Sequence, residues 1–137
     1  MAAPNIVNVA TITGITTFRV GISTVGASAG ITTIVTNAAS SNKVLKINSL
    51  VATAIGDTTG VTVQLFDGAG AHTAAAHTVS VATTMTVPLY SSLAVIDKTN
   101  SIYLQEGHQI GCTAQSNAGS IDIVCSYEDI ADRRATR

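Results

Sequence analysis

Residues Gly26-Ala27-Ser28-Ala29-Gly30 match the G-x-S-x-G pattern of a hydrolase nucleophile elbow. In that motif the serine stands on a strained strand-to-helix turn, and an acid and a histidine follow it in the chain. Here the next residues are Ile31-Thr32-Thr33-Ile34-Val35-Thr36, a β-branched run that favours extension over the helix an oxyanion hole needs. Ser28 is therefore read as part of a small-residue turn. His72 and His77 are five apart, on opposite faces of a strand and off the spacing of a helical metal pair. His108 stands near Glu106 across Gly107 and reads as a solvated residue at a strand start. Asp97, Glu106, Asp122, Glu128 and Asp129 read as turn or strand-edge acids, with no positioned pair for glycoside hydrolysis. Gly68-Ala69-Gly70 lacks the third glycine and the βα context of a dinucleotide fingerprint. No catalytic, cofactor-binding or metal-binding residue is expected, and the chain is read as a non-enzyme.

Two cysteines, Cys112 and Cys125, flank a turn expected at Asn117–Ser120. A two-residue hairpin loop at Ala118-Gly119 would set Cys112 opposite Cys125, and a loop one pair longer would set it opposite Ile123. Either register keeps Ile110, Cys112 and Ala114 on the face that carries Ile121, Ile123, Cys125 and Tyr127. The first reading is two buried apolar thiols and the second a disulfide. A metal or redox site has neither a CxxC nor a nearby histidine pair behind it.

The elements around these residues are short strands. Only 11% of residues are charged and 4% aromatic, while 46% are hydrophobic, whereas a soluble domain usually carries about a quarter charged residues. A surface of Thr, Ser, Ala and Val suggests that much of it meets other protein. A chain of 137 residues fits one domain. A net charge of −1 and a pI near 6.2 give no field to hold nucleic acid. The apolar runs are too short for a membrane helix, and Met1–Ala10 lacks the regions of a signal peptide.

The first 40 residues hold one charge, Arg19, and a loose repeat: Gly14-Ile15-Thr16-Thr17, Gly21-Ile22-Ser23-Thr24 and Gly30-Ile31-Thr32-Thr33. The irregular spacing excludes a solenoid. Residues 1–40 are read as an N-terminal arm of edge strands on the body or on a neighbour. The body, 41–130, is expected to carry strands at Lys43–Ala54 (a pair, or one bulged strand), Val61–Leu65, Ala74–Val81, Thr84–Leu89, Leu93–Ile96, Ser101–Leu104, His108–Gln115 and Ile121–Ile130. A final helical turn is possible at Asp129–Ala135. Residues 131–137 form a short tail with the basic cluster Arg133, Arg134 and Arg137, able to pair with an anionic neighbour. The fold class predicted is all-β: a two-sheet antiparallel sandwich, jelly-roll-like, with an extended N-terminal β arm. On this reading, deleting Met1–Asn37 leaves the body folded.

Several stretches resemble a family of small virion structural proteins of marine cyanophages and related tailed phages. They are Met1-Ala2-Ala3-Pro4-Asn5-Ile6-Val7-Asn8-Val9-Ala10-Thr11-Ile12-Thr13-Gly14, the run from Thr36 to Leu50, the run from Ala94 to Gly107, and Cys125-Ser126-Tyr127-Glu128-Asp129-Ile130. Asp57–Ser80, Thr16–Gly30 and Ala131–Arg137 lie outside the likeness. The resemblance implies a particle component without assigned enzyme activity and without a cofactor, made in the host bacterial cytoplasm and located on the virion. A nearly neutral sandwich with a sticky arm suits a capsid decoration or cement protein on the outer capsid surface. Its partners would be the major capsid protein and its own copies, with a homotrimer as the expected oligomer, and no nucleic acid, membrane or small-molecule substrate. The alternatives are a tail, neck or fibre-associated component, or a glycan- or receptor-binding adhesin. The last is weakened by a set of only five aromatic rings, Phe18, Phe66, Tyr90, Tyr103 and Tyr127.

Overall fold

The computed structural model describes residues 9–22, 31–67, 78–114 and 121–132. Runs of Val, Ile and Thr broken by turn residues become nine strands there: β1 (Val9–Ile22), β2 (Thr32–Thr36), β3 (Lys43–Ala54), β4 (Thr59–Phe66), β5 (Thr78–Val87), β6 (Ser92–Ile96), β7 (Ile102–Leu104), β8 (Gln109–Ala114) and β9 (Ile121–Asp132). They form two antiparallel sheets, so the expected all-β sandwich is what the chain adopts. The first sheet runs β1-β9-β3-β6, with β7 also on β3; the second runs β2-β8-β4-β5. β6 and β7 share one side of β3, pairing with Leu50–Thr53 and Leu45–Ile47 respectively. A single 3₁₀ turn at Lys98–Asn100 separates them.

β3 is one long bulged strand. Ile47 faces Tyr127 and Ser49 faces Ser126, leaving Asn48 as the extra residue. Before the bulge Leu45 and Ile47 are buried; after it, Leu50, Ala52 and Ala54 are. The inserted residue reverses the phase of alternation, so one strand keeps its apolar side inward along its whole length. Ile47, Leu50, Ile96, Leu104, Ile121, Ile123 and Cys125 then meet Val61, Val63, Val87, Ile110, Cys112 and Ala114 of the opposite sheet. Each of the valine, leucine and isoleucine side chains contributes about 1.5–3 kcal/mol by leaving water.

Four expectations are corrected. β8 and β9 do not form a hairpin: β8 pairs with β2 and β4, and β9 with β1 and β3. Cys112 therefore lies beside Thr32 and Val63, and Cys125 beside Thr17 and Leu50, in opposite sheets. The face assignment of their neighbours survives because both inner faces point into one core. Ala74–Val81 and Thr84–Leu89 are not two strands; β5 runs unbroken from Thr78, with Thr84 at φ 53° absorbing a bulge. The possible helical turn after Asp129 is excluded as far as Asp132, because β9 continues that far on β1. Finally, β1 and β2 lie on the body as edge strands, one of the placements expected for them, and what changes is their independence: they bring Ile22, Ile34 and Val35 into the common core. Deleting Met1–Asn37 would remove both strands and those three side chains, so the remainder is expected to unfold.

Candidate interaction surfaces

Polar residues near the candidate chemistry serve the backbone. Asn37 is buried at the crossing from β2 to β3. Its Nδ2 donates to the carbonyls of Lys43 (2.8 Å) and Leu104 (3.0 Å), and its Oδ1 accepts from the Ser41 hydroxyl. Its own N–H donates to the His108 carbonyl, and its carbonyl accepts from Gly107 N–H. The side chain thus ties the start of β3 to the end of β7, and the backbone of the same residue holds the turn that leads into β8.

His108 Nδ1 accepts from the Gln105 N–H at 3.3 Å across a turn whose Gly107 sits at φ +83°. Glu106 Oε2 accepts from the Asn42 N–H at 2.6 Å. Both residues hold the ends of loops, as their turn positions suggested. Asp97 caps the 3₁₀ turn: its carboxylate accepts from the hydroxyl and N–H of Thr99, and these bonds hold its pKa below the usual value. Asp122 Oδ1 accepts from Gly21 N–H at a bulge in β1. Asp129 pairs with Lys43 at 3.1 Å, and Glu128 lies 3.9 Å from Lys46 while accepting from Asn48.

Cys112 and Cys125 are free, buried thiols, and burial pushes each up to about 12. Nearby Cys125 adds a smaller upward Coulomb contribution at Cys112. Thiols held protonated in this way are inert. Among the described residues no group of three His, Cys, Asp or Glu side chains could hold a metal ion. Ser28 and its glycines, Gly68, Gly70, His72, His77, the turn Asn117–Ser120, Arg133, Arg134 and Arg137 lie outside the described residues.

What the surface does offer is apolar. On the outward face of the first sheet, cross-strand neighbours form a row: Phe18, Val124, Val51 and Ala94. Phe18 is 63% exposed and Val124 45%. Ile12, 59% exposed, heads a second row whose next members, Ile130 and Val44, are buried. Val20, in the β1 bulge, is exposed as well. At the far edge of the second sheet β5 exposes Val79, Val81 and Met85, and Tyr90 follows at 81%. β1 lies over β2, and β5 near β6, so these two surfaces occupy opposite edges of the sandwich.

Reading the sequence for chemistry passed over these residues. Their signal is present in β1, where Ile12, Phe18 and Val20 occupy one alternation phase and Ile15 the other, Ile22 reaching the core only across the bulge between Arg19 and Ile22. A strand apolar on both faces has a second surface to cover.

No family model and no curated protein matches this chain. A solved structure described with the words "Bacillus endospore appendages form a novel family of disulfide-linked pili" is similar to it over 89% of this chain and 88% of that one, at 14% identity and a TM-score of 0.44. A likeness at that level carries no argument about function.

Proposed function

We propose that the protein is a phage virion structural protein, a decoration or cement protein that binds the major capsid protein and its own copies on the outer capsid surface. The observation that carries this reading is the apolar exposure along two opposite edges and one sheet face, in a chain with 11% charged residues. Monomeric soluble proteins rarely leave such patches uncovered, and rows of this kind mark contact with other protein. Asn37, Asp97, Glu106 and His108 are spent on a cap, turns and loop ties, which fits a scaffold role. The resemblance of the Met1–Gly14, Thr36–Leu50, Ala94–Gly107 and Cys125–Ile130 stretches to cyanophage virion proteins supports a particle location. The order β1-β9-β3-β6 facing β2-β8-β4-β5 supports the jelly-roll form of the sandwich.

Imaging of intact particles with this chain labelled tests the reading. Density on the capsid surface is the expected result. Density on the tail or neck would replace decoration by the tail-component reading, and absence from particles would end the virion assignment. An adhesin role has one observation in its favour, the exposed rings Phe18, Tyr90 and Tyr103, on which a sugar face could stack. A glycan array without hits removes it.

A further inference from the structure

We propose that β1 is a self-pairing edge: two copies of this chain join antiparallel along β1, about a twofold axis at Ile15, into one continuous sheet. The inference stands on the fold and goes beyond the virion reading.

Among the described residues the sandwich has four lateral edges, and three are blunted. β2 is five residues long and irregular between Thr33 and Val35. β5 carries two register shifts and a β-branched residue, Thr84, at φ 53°. The β6/β7 edge is split by a 3₁₀ turn. Short, bulged and interrupted edges resist pairing with another chain. β1 differs. Its ladder with β9 runs without a break from Thr11 to Arg19, with register shifts just outside both ends. That regular segment is centred on Ile15. Its one charge, Arg19, is turned back, its guanidinium donating to the Phe18 carbonyl at 3.1 Å.

The side chains select the register. Cross-strand partners must point to the same face, so the paired numbers sum to an even value. A sum of 30, with Ile15 on the axis, sets Ile12 directly opposite Phe18 of the second copy. A sum of 28 sets Ile12 against Thr16, and a sum of 32 sets Phe18 against Gly14. Only the central register joins Ile12 to Phe18 within the regular ladder; a sum of 32 would set Ile12 against Val20, which lies beyond it in the bulge between Arg19 and Ile22. It also makes the row Val51, Val124, Phe18 continuous with Ile12, Ile130 and Val44 of the second copy. On the inner face, the row Ile102, Ile47, Tyr127, Ile15 meets its own Ile15 across the axis. Gly14 then lies opposite Thr16. A Cβ at Gly14 would meet nothing within 4 Å, so nothing near it within this subunit requires glycine there. A glycine on a strand often marks close approach of another backbone. The contact is isologous and closes on itself, giving a dimer and no filament.

Light scattering on the full chain, over a concentration series, tests this. The wild type is expected at twice the 13.9 kDa chain mass. The double variant Ile12→Lys/Phe18→Lys places lysine opposite lysine and is expected at the single-chain mass, with an unchanged circular dichroism spectrum because both positions are exposed. Mixing it with Ile12→Glu/Phe18→Glu is expected to restore the doubled mass. Residue 15 alone meets itself, so Ile15→Cys should oxidise to a covalent dimer faster than Gly14→Cys or Thr16→Cys. A single-chain or three-chain mass for the wild type at every concentration would overturn the proposal. So would a lysine variant that stays dimeric, or crosslinking at residue 15 no faster than at 14 or 16. None of these outcomes bears on whether the chain sits on a particle, which the imaging experiment decides separately.

Discussion

Replacing Asn37 by alanine tests whether the buried amide is a structural tie. The substitution orphans the Lys43 and Leu104 carbonyls and frees the Ser41 hydroxyl. Ser41 is only partly buried and can turn to water. An unsatisfied buried carbonyl costs about 1–3 kcal/mol, which puts two at no more than about 2–6 kcal/mol, the Lys43 carbonyl being only part-buried. A water admitted to the vacated space finds the same three partners, and that holds the expected loss to about 2–4 kcal/mol. Against a total stability of about 5–15 kcal/mol, the fall is large. Urea denaturation should show a lower midpoint at unchanged slope, together with a lower melting temperature. Asn37→Asp sharpens the test. A carboxylate keeps the shape but offers two carbonyls no donor, so at neutral pH it should be worse than alanine. Its neutral form is favoured in the fold, so the folded pKa is raised and the variant regains stability as pH falls. An Asn37→Ala protein within about 0.5 kcal/mol of wild type would refute the argument, since that is the range of ordinary surface changes.

Three further expectations follow from the core and the edges. Leu104→Ala, at a fully buried position opposite Leu45, should cost about 2–5 kcal/mol in the same denaturation assay. Neither thiol should react with a soluble disulfide reagent at pH 8 without denaturant. Because both folded pKa values, about 12, exceed the unfolded value of about 8.5, their contribution is complete below pH 8.5 and is lost as pH rises toward 12. A Cys112→Ala/Cys125→Ala protein should accordingly lose stability less steeply over that window than the wild type does. Thr84→Gly should stabilise by about 0.5–1 kcal/mol, because the left-handed conformation costs a β-branched residue more than glycine loses in chain entropy, and the N–H bond to Thr62 is kept; an unchanged melting temperature would refute it.

Much of the fold was legible because alternation reports burial directly. Leu45 and Ile47 against Lys46, and Val61 and Val63 against Thr62, each state which way a strand faces. The positions of β3, β4, β6, β7, β8 and β9 followed from that and from turn residues. What alternation cannot report is which sheet a strand joins. Cys112 and Cys125 have the pattern of hairpin partners and of residues facing each other across a sandwich, because both arrangements bury the same side chains. Bulges were illegible for a related reason. The break read at Ala82-Thr83, between strands ending at Val81 and starting at Thr84, is a bulge that the continuous backbone of β5 absorbs on β4. Asn37 read as a loop residue, and it is one; its burial depends on Leu104 and His108, far away in the chain, and no local pattern encodes that.

The edges also bear on how weak contacts with a particle could suffice. β1 and β5 lie on opposite sides of the sandwich, so a pair joined along β1 carries its two β5 and Tyr90 surfaces at its outer ends. If those surfaces meet the capsid, each dimer attaches twice, and the second attachment is intramolecular. Such bivalency raises apparent affinity by about 10²–10⁴ without any new contact. Ile12→Lys/Phe18→Lys would then lose particle binding by a similar factor although neither residue touches the capsid in this arrangement. Val79→Lys or Met85→Lys would weaken binding while leaving the dimer intact. A lysine variant that is monomeric yet binds particles as tightly as wild type would separate the two edges, making β1 pairing irrelevant to attachment. Equal loss of binding and dimerisation from the β5 substitutions would instead place both functions on one edge, against the regular, unbroken ladder that singles out β1.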